Sequence, residues 1–352
     1  MSSVTRPQRE ADFARFPSST PIVIDNGAST FRIGWAGEAE PRLSFRNVVQ
    51  RPRHRSTGTP PYTAENVISL ARGLMEVSLF NSLYSNFHGT GETVSIVGDT
   101  DPSLMKFFDC TRSAVRSPFD DDVVYQFEYM EYVCSQTPST SFYVIYRFQI
   151  LDYGFDRLGV DSEVGHPILM TECECNPSFS RARMSELLFE TYGVPSIAFG
   201  IDNAFSYKYN QKLGNCNEDG LAISCEHGTC HVVPPGMIGI DQAGIDEMVS
   251  ISLRRLMEDE SVKERLCQSI LVTGGSSLFP GMIPRLESGI RQYRPYLAPL
   301  KLVGAADPIL DAWRGAAAFA ASSKFGKQTF SLADYGEHGE NLFHRYNIVY
   351  SL

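Results

Sequence analysis

Apolar and polar positions alternate along this chain in a pattern that predicts strands and helices in turn. Short apolar runs typical of buried strands lie at residues 22–24, 31–37, 167–171, 197–199 and 268–273. Between the later runs, apolar residues recur at helical spacing, for example at Met184, Leu187 and Leu188. Strands that alternate with helices predict an α/β protein with at least two sheets.

The composition is that of a globular protein with an acidic balance. An apolar fraction of 43% with 20% charged residues excludes wholesale disorder. The chain carries 31 Lys and Arg against 41 Asp and Glu, a net charge of −10. Such a balance argues against a general grip on nucleic acid or on an anionic membrane, because no excess of cations displaces counterions. A protein partner or a small ligand is therefore expected, with no membrane contact.

The cysteines and the N-terminus indicate a reducing compartment. Eight cysteines at irregular spacing do not predict a disulfide framework. Residues 1–20 are polar, are expected to be loose, and contain no apolar core of a signal peptide. No apolar run reaches the length that spans a bilayer. We expect a soluble intracellular protein.

The first hairpin has residues suited to holding a phosphate. An apolar strand runs into the turn at Asp25 and Gly27, and Arg32 follows on the returning strand. Gly27 lets backbone amides turn toward an anion, Asp25 suits a hydrated divalent cation, and Arg32 suits a phosphate oxygen. The alternative is an ordinary hairpin turn.

A second candidate loop lies in the C-terminal third. A strand ends in Gly274, Gly275 and Ser276, and a helical pattern follows. This strand–loop–helix order aims backbone amides at a ligand. Alone it is a weak signal.

Clustered metal-ligand residues do not predict a metal site. Cys225, His227, Cys230 and His231 lie within seven residues, and donors this close rarely complete a tetrahedral zinc site. The run at 120–122 is acidic but lacks a calcium loop. We expect no metal ion held by the protein alone.

Together and in this order, these segments resemble the actin family, and in particular the class of nuclear actin-related proteins called actin-related protein five. Roughly 280 residues take part in the match. The segments that carry the family resemblance are 22–53, 166–195, 269–281 and 311–315, and those that carry the class are 108–113, 205–210 and 340–348. The resemblance implies the duplicated ribonuclease-H-like fold, a two-lobed α/β ATPase architecture with ATP between the lobes.

The resemblance also implies a domain organisation with additions and a deletion. The expected parts are a loose N-terminus at 1–20, a first lobe at 21–165, a second lobe at 166–310 and a returning segment at 311–352. Residues 59–91 and 134–150 are atypical inserts, and the second lobe is incomplete because the fourth subdomain is missing at 234/235. We interpret these features as products of splicing variation or of an imperfect gene model, and long surface loops are the alternative for the inserts.

Several positions depart from the family pattern. Ala28 stands where actin has a serine that meets the phosphate, and Arg32 stands where actin has a lysine. The second phosphate loop of actin aligns with residues 224–228, where both of its aspartates are replaced, the first by Ser224. Asp202 stands where actin orients the attacking water. Since phosphoryl transfer depends on positioned charge and metal, hydrolysis is expected to be absent or vestigial. ATP binding is then weak or absent, and Mg²⁺ binds only with ATP.

The class implies a function without catalysis. Its members serve as structural subunits of the INO-eighty-type chromatin remodeller, a nuclear ATP-dependent complex that repositions nucleosomes and acts in transcription and DNA repair. The expected partners are subunits of that complex, with nucleosome contact indirect or through histones. The alternative is an ATPase or kinase of the actin and sugar-kinase superfamily, which needs the aspartate replaced by Ser224. A filament-forming actin is disfavoured by the missing fourth subdomain.

Overall fold

The computed structural model describes residues 13, 16–50, 53–54, 96–98, 108–109, 114–120, 123–130, 150–160, 163–174, 176–225, 244–255 and 260–345. The strands are β1 (Ile22–Asn26), β2 (Thr30–Trp35), β3 (Leu43–Arg46), β4 (Val49–Gln50), β5 (Arg53–His54), β6 (Ile96–Val97), β7 (Phe108–Asp109), β8 (Val115–Arg116), β9 (Phe119–Asp120), β10 (Val123–Val124), β11 (Ile168–Glu172), β12 (Ser196–Ile201), β13 (Leu221–Ser224), β14 (Ile270–Thr273), β15 (Leu302–Gly304) and β16 (Phe330–Ser331). The α-helices are α1 (Ile150–Leu158), α2 (Ser178–Glu186), α3 (Asp202–Lys212), α4 (Ile245–Arg255), α5 (Glu260–Cys267), α6 (Met282–Ile290), α7 (Asp311–Ala320), α8 (Leu332–His338) and α9 (Leu342–Arg345). Within these ranges, none of the helices has the length and apolar character that crossing a membrane requires.

The larger sheet has six strands in the order β16-β12-β11-β1-β2-β3. The strands β1, β11 and β12 are parallel, whereas β1, β2 and β3 form an antiparallel meander. Both faces of the central strands are buried: Ile24 and Met170 join one apolar core, and Val23 and Leu169 join another. Continuous apolar runs are what strands covered on both faces require, which is why these segments were recognisable in the sequence.

A smaller sheet repeats the parallel part of the first. Its strands β13, β14 and β15 are all parallel and adjacent in chain order. A separate core, built by β13, β14 and helices α4 and α6, covers this sheet. The predicted α/β class with at least two sheets is confirmed. The remaining described strands form short pairs: β4 pairs with β6 and β8, β5 pairs with β7, and β9 pairs with β10.

Helices α3 and α7 pack closely and join the two sheets. A Cβ atom on Gly315 of α7 would lie 2.2 Å from the carbonyl oxygen of Phe205 in α3, so only glycine permits this approach. Trp313 of α7 is completely buried against the larger sheet. From α3, the Ser206 hydroxyl hydrogen-bonds the Thr273 hydroxyl of β14 at 2.9 Å. The helix pair therefore ties the smaller sheet to the larger one.

The N-terminal segment is packed where the sequence predicts it to be loose. The Phe16 ring stacks on Trp35 with centroids 4.0 Å apart, and Phe13 meets the buried His166 edge-on at 4.9 Å. The His166 Nδ1 atom lies 2.9 Å from the Thr20 carbonyl oxygen. In contrast to the loose segment expected from the sequence, Phe13 and Phe16 therefore pack on the core, whereas residues 17–19 are exposed. The rest of that segment lies outside the described residues.

Two described helical segments flank the second predicted insert. The sequence pattern predicts one helix over residues 127–133 and 151–158 that is interrupted by the insert. In the structure, a 3₁₀ turn lies at Phe127–Tyr129, and α1 begins at Ile150. The backbone amide of Leu151 donates to the carbonyl oxygen of Met130 at 3.3 Å, so the chain closes on itself across residues 131–149. Those residues, the insert at 59–91 and the junction at 234/235 lie outside the described residues.

Helix α7 begins later than its capping signal predicts. Asp307 followed by Pro308 predicts a helix from residue 308, whereas α7 starts at Asp311. The Asp307 carboxylate still accepts hydrogen bonds from the amides of Ile309 and Leu310, at 3.1 and 3.2 Å. It therefore caps a turn that precedes the helix rather than the helix itself.

The start of α8 gives a first testable prediction. The Ser331 hydroxyl accepts from the Asp334 amide at 3.3 Å, and the Asp334 carboxylate accepts from the Ser331 amide at 2.8 Å, a complete capping box. Replacing Ser331 with alanine should lower the free energy of unfolding by about 1 kcal/mol in urea denaturation. Ser252→Ala on the exposed side of α4 is the control and should change it by less than about 0.5 kcal/mol. Equal effects of the two changes would show that the box adds nothing.

The capping box also has a pH dependence with a definite sign. Hydrogen bonds from the backbone and side chain of Ser331 lower the pKa of the Asp334 carboxyl. A carboxyl with a lowered pKa in the folded state contributes stability above its unfolded pKa and loses it as the pH falls through the folded pKa. The contribution of this box is therefore full at neutral pH and is lost only in acid.

Candidate functional site

The ends of the parallel strands bring polar side chains to one edge of the larger sheet. Strand β1 ends in Asp25 and Asn26, β11 ends in Thr171 and Glu172, and Asp202 follows β12 directly. Parallel strands present their carboxyl ends on the same side, where open α/β sheets bind ligands. This edge is the candidate site.

In the first loop, Asp25 is held by two protein donors. Arg32 Nη1 lies 2.7 Å from Asp25 Oδ2, and the Thr171 hydroxyl donates to Asp25 Oδ1 at 2.8 Å. The side chains of Arg32 and Asp25 are only 11% and 6% exposed. Asp25 and Arg32 face each other in the antiparallel register of β1 and β2, which fixes the pair. The structure thus brings together Asp25 and Arg32, two of the residues singled out in the sequence, beside Gly27.

The Asn47 side chain holds the turn at the tip of this hairpin through two hydrogen bonds. Asn47 Nδ2 donates to Asn26 Oδ1 and to the carbonyl oxygen of Gly27, both at 2.9 Å. The amides of Gly27, Ala28 and Ser29 donate no backbone hydrogen bond within the described part of the chain. Amides held in a fixed turn without acceptors are suited to an anion.

The Thr171 hydroxyl gives the second testable prediction. It donates to Asp25 and also accepts from the Asn26 amide at 3.2 Å, in a buried setting. Thr171→Val keeps the shape and removes both bonds, so the free energy of unfolding should fall by about 1–3 kcal/mol in urea denaturation. Thr171→Ser keeps the hydroxyl and should cost only the lost methyl group, about 0.8 kcal/mol. A serine variant as unstable as the valine variant would contradict a role for the hydroxyl.

The second loop follows β14 as predicted, but its amides are largely used within the protein. Gly274 has φ of +86°, and a Cβ there would lie 2.4 Å from the carbonyl oxygen of Cys225. The Gly274 amide donates to the carbonyl oxygen of Pro308 at 3.2 Å, and the Ser276 amide donates to the carbonyl oxygen of Cys225 at 3.0 Å. Only the Gly275 amide donates no backbone hydrogen bond to described residues. The glycine is therefore required by its close packing on Cys225, the residue after β13, independently of any ligand.

Neighbouring carboxylates at this edge are engaged with other protein groups. Glu172 accepts two hydrogen bonds from Arg181 Nε at 3.0 Å each, and Asn176 donates to it at 2.8 Å. Asp202 Oδ1 accepts from the Asn203 amide at 2.5 Å. A small open cavity beside Thr171 and Glu172 is also lined by Asn26, Met170 and Phe199.

The cysteines behave as core residues in the described part of the chain. Cys225 and Cys267 are completely buried, and burial raises the pKa of the Cys267 thiol, which keeps it protonated at neutral pH. No group of three or more His, Cys, Asp or Glu side chains suited to a metal occurs among the described residues. The candidates His227, Cys230 and His231 lie outside them.

The residues present fit the two parts of a magnesium nucleotide unequally. The first loop has free amides and a buried guanidinium, which suit a phosphate group. Mg²⁺ demands near-ideal octahedral oxygen ligation, and both oxygens of Asp25 already accept protein hydrogen bonds. Hydrogen bonds from the protein thus use part of the acceptor capacity of Asp25, whereas the amides of the first loop donate no backbone hydrogen bond to described residues.

Three groups at the site were not expected from the sequence. Asn47, which lies between β3 and β4, donates a hydrogen bond to the carbonyl oxygen of Gly27 in the first turn. The Thr171 hydroxyl donates to the Asp25 carboxylate, and the carbonyl oxygen of Pro308 accepts from the Gly274 amide. Each partner is more than 19 residues away along the chain, so no local motif marks it. The threonine at the end of a buried strand was the one available signal, since a polar residue there faces the ligand edge.

Comparison with known proteins gives consistent matches. A family model described as Actin matches residues 17–237 and 235–347. Actin-related protein 5 of Arabidopsis thaliana is 52% identical over 235 residues, which are 66% of this chain and 26% of that protein. Actin-related protein 5 of Oryza sativa subsp. indica is 82% identical over 134 residues, 38% of this chain and 23% of that protein. Actin-related protein 5 of Homo sapiens is 36% identical over 228 residues, 63% of this chain and 28% of that protein. The matched part of the chain thus covers 23–28% of the length of these curated relatives.

The family match falls into two segments that meet at residues 235–237. This is the place where the sequence predicts that a subdomain is missing. The two ranges together cover nearly the whole chain, including both candidate loops.

Proposed function

Since this chain belongs to the actin family, we propose that it is a non-enzymatic structural subunit of a nuclear ATP-dependent chromatin-remodelling complex of the INO-eighty type. The observation that carries the proposal is the similarity to proteins named actin-related protein 5 in plants and animals. In this proposal, the chain reaches nucleosomes through partner subunits or histones, and its net charge of −10 favours protein contacts over direct DNA contacts.

The charges around the candidate site do not favour catalysis of phosphoryl transfer. Phosphoryl transfer needs a metal ion and positioned charges around the transferred group. Here Asp25 is neutralised by Arg32, and β13 ends in the uncharged Ser224 where the resemblance expects a carboxylate. A fold that has lost these charges can still present a fixed surface to which partner proteins bind. The close packing of α3 against α7 holds the two sheets together in such a scaffold.

Affinity purification from nuclear extract tests the assembly. The tagged full chain should be recovered in the nuclear fraction with the motor ATPase and other subunits of the remodeller, identified by mass spectrometry. A tag-only bait controls for unspecific capture, and the Trp313→Ala variant described below controls for recovery of unfolded chains. Recovery of the chain as an isolated monomer, or in a cytosolic fraction alone, would contradict the proposal.

The alternative function is that of an ATPase or kinase of the same superfamily. The observation in its favour is the first loop, where free amides and Arg32 remain suited to phosphate. Release of phosphate from ATP by the purified chain, measured with and without Mg²⁺, separates the two functions. Turnover above that of a Gly274→Val control would support the alternative, whereas equal background rates support the structural role.

A further inference from the structure

The connection between α6 and β15 contains a turn with a strained backbone. The Ala298 amide donates to the carbonyl oxygen of Pro295 at 3.0 Å, which closes a four-residue turn with Tyr296 and Leu297 at its tip. Leu297 has a φ of +59° and is the one non-glycine residue with positive φ in the described ranges. A turn with positive φ at its third residue usually has glycine or asparagine there, because a larger side chain is sterically unfavourable.

The two side chains at this tip are the most exposed large apolar groups in the described part of the chain. Tyr296 is 93% exposed and Leu297 is 76% exposed. Single exposed apolar side chains are common on soluble proteins, but here two consecutive ones project from a strained turn. No burial within the described structure offsets the strain or the exposure. A contact that buries both side chains would offset them.

The turn is held in one conformation by its own surroundings. Arg294 Nη1 donates to the carbonyl oxygen of Ala298 at 2.6 Å, and Ala298 itself is buried. Pro295 and Pro299 restrict the backbone on either side of the tip. Leu300, which follows, packs against the core of the smaller sheet. A tip fixed in this way loses little conformational entropy when it binds a partner.

The charges next to the turn are positive in a chain that is acidic overall. Residues 291–301 contain Arg291, Arg294 and Lys301 and no acidic residue, whereas the whole chain has a net charge of −10. The side chains of Arg291 and Lys301 are exposed. Arg291 pairs with Glu287 of α6, and an exposed pair of this kind is weak enough for another carboxylate to replace it. Cations beside an apolar tip favour a partner surface with negative charge.

We propose that this turn is a docking element that inserts Tyr296 and Leu297 into an apolar pocket on a partner protein, with Asp and Glu side chains at the edge of the pocket. Tyrosine suits this role because its ring supplies a large apolar area and its hydroxyl can still hydrogen-bond. The docking contact goes beyond the structural role proposed above, since it does not depend on which complex contains the chain.

Photo-cross-linking tests the contact. The full chain, with p-benzoylphenylalanine in place of Tyr296, is irradiated in whole-cell extract, and the cross-linked peptides are identified by mass spectrometry. One partner protein should be captured through a peptide with more Asp and Glu than Lys and Arg. The same group in place of Tyr125, a tyrosine that is 73% exposed, is the matched control and should not capture that protein.

The outcomes separate this contact from the function proposed above. A captured protein that is not nuclear contradicts the nuclear complex but supports the docking element. Absence of a cross-link, a cross-linked peptide without the acidic excess, or capture of the same protein from both positions overturns the docking proposal.

Leu297→Asn in the cross-linking chain distinguishes docking from a role in folding. Asparagine tolerates positive φ, so the midpoint of urea denaturation should be unchanged or higher. The yield of the cross-link should nevertheless fall at least about tenfold, because the apolar tip is lost. An unaltered yield, or a lower midpoint, overturns the proposal.

Reversal of the neighbouring charges tests the chemistry of the partner. Arg291→Glu combined with Lys301→Glu should lower the yield of the cross-link at least about tenfold. Lys324→Glu combined with Lys327→Glu makes the same charge change at two other exposed positions and should leave the yield unaltered. Equal yields from the two double variants would overturn the assignment of an acidic partner.

Discussion

Replacing Arg181 with methionine should lower the free energy of unfolding by about 3–5 kcal/mol. Arg181 Nη2 lies 2.6 Å from Glu172 Oε1, and the two side chains are 8% and 5% exposed. Methionine is close in length and keeps a contact with the Phe343 ring, which the guanidinium now covers at 5.4 Å. What it removes is the charge partner, and a buried carboxylate left with Asn176 alone is strongly unfavourable.

The double variant Glu172→Met with Arg181→Met separates the charge from the packing. Removing both partners leaves no uncompensated charge, so most of the lost stability should return in urea denaturation. Arg183→Met is the matched control, since this arginine lies on the same helix and forms an exposed pair with Glu186. It should cost no more than about 1 kcal/mol. A double variant as unstable as the single one would contradict the argument.

Truncation of Trp313 to alanine should cost about 3–5 kcal/mol of unfolding free energy. The indole is completely buried among Val23, Leu169 and Phe205. A Cβ on Gly34 would lie 2.9 Å from the ring, which shows how closely β2 packs on it. Because α7 carries this side chain and also packs on α3, the cavity would loosen the link between the two sheets.

Two further variants define this prediction. Trp313→Phe keeps an aromatic ring and should cost clearly less, since the indole Nε1 has no hydrogen-bond partner among the described residues. Tyr296→Ala removes a ring that is 93% exposed and should change the stability by less than about 0.5 kcal/mol. Urea denaturation of all three variants gives the comparison. A cost for the alanine variant near that of Tyr296→Ala would show that the packing around Trp313 contributes little.

The sheet and its order of elements were predictable because the pattern is local. Strand β1 begins with three apolar residues, Ile22, Val23 and Ile24, and each is buried on one face or the other. The turn that follows was placed too early, since Asp25 and Asn26 belong to the strand and the turn begins at Gly27. Polar residues at the end of a strand predict a turn when the distant groups that hydrogen-bond them cannot be seen in the sequence. Here the partners of this pair are Arg32, Thr171 and Asn47.

The sequence singled out Asp25 and Arg32 as candidate site residues but did not predict the contact between them. Asp25 and Arg32 were expected to hold a cation and a phosphate, each acting separately. In the structure they bind each other, because antiparallel pairing sets them side by side and burial favours neutralised charges. Pairing across a hairpin is visible in the sequence only when the exact register is known. The spacing of the two residues about the turn is consistent with this register. From the sequence alone, they were instead assigned separately to a cation and a phosphate.

The closure between Met130 and Leu151 makes this point of the chain suitable for protein engineering. The two buried residues lie one hydrogen bond apart, so the ends of anything placed between them are already close together. A reporter domain whose own termini are adjacent can replace residues 131–149 without pulling α1 from the core, since chain-closure entropy rises only slowly with length. A fluorescent protein inserted there would report on the chain in living cells without a fusion at either end of the sequence.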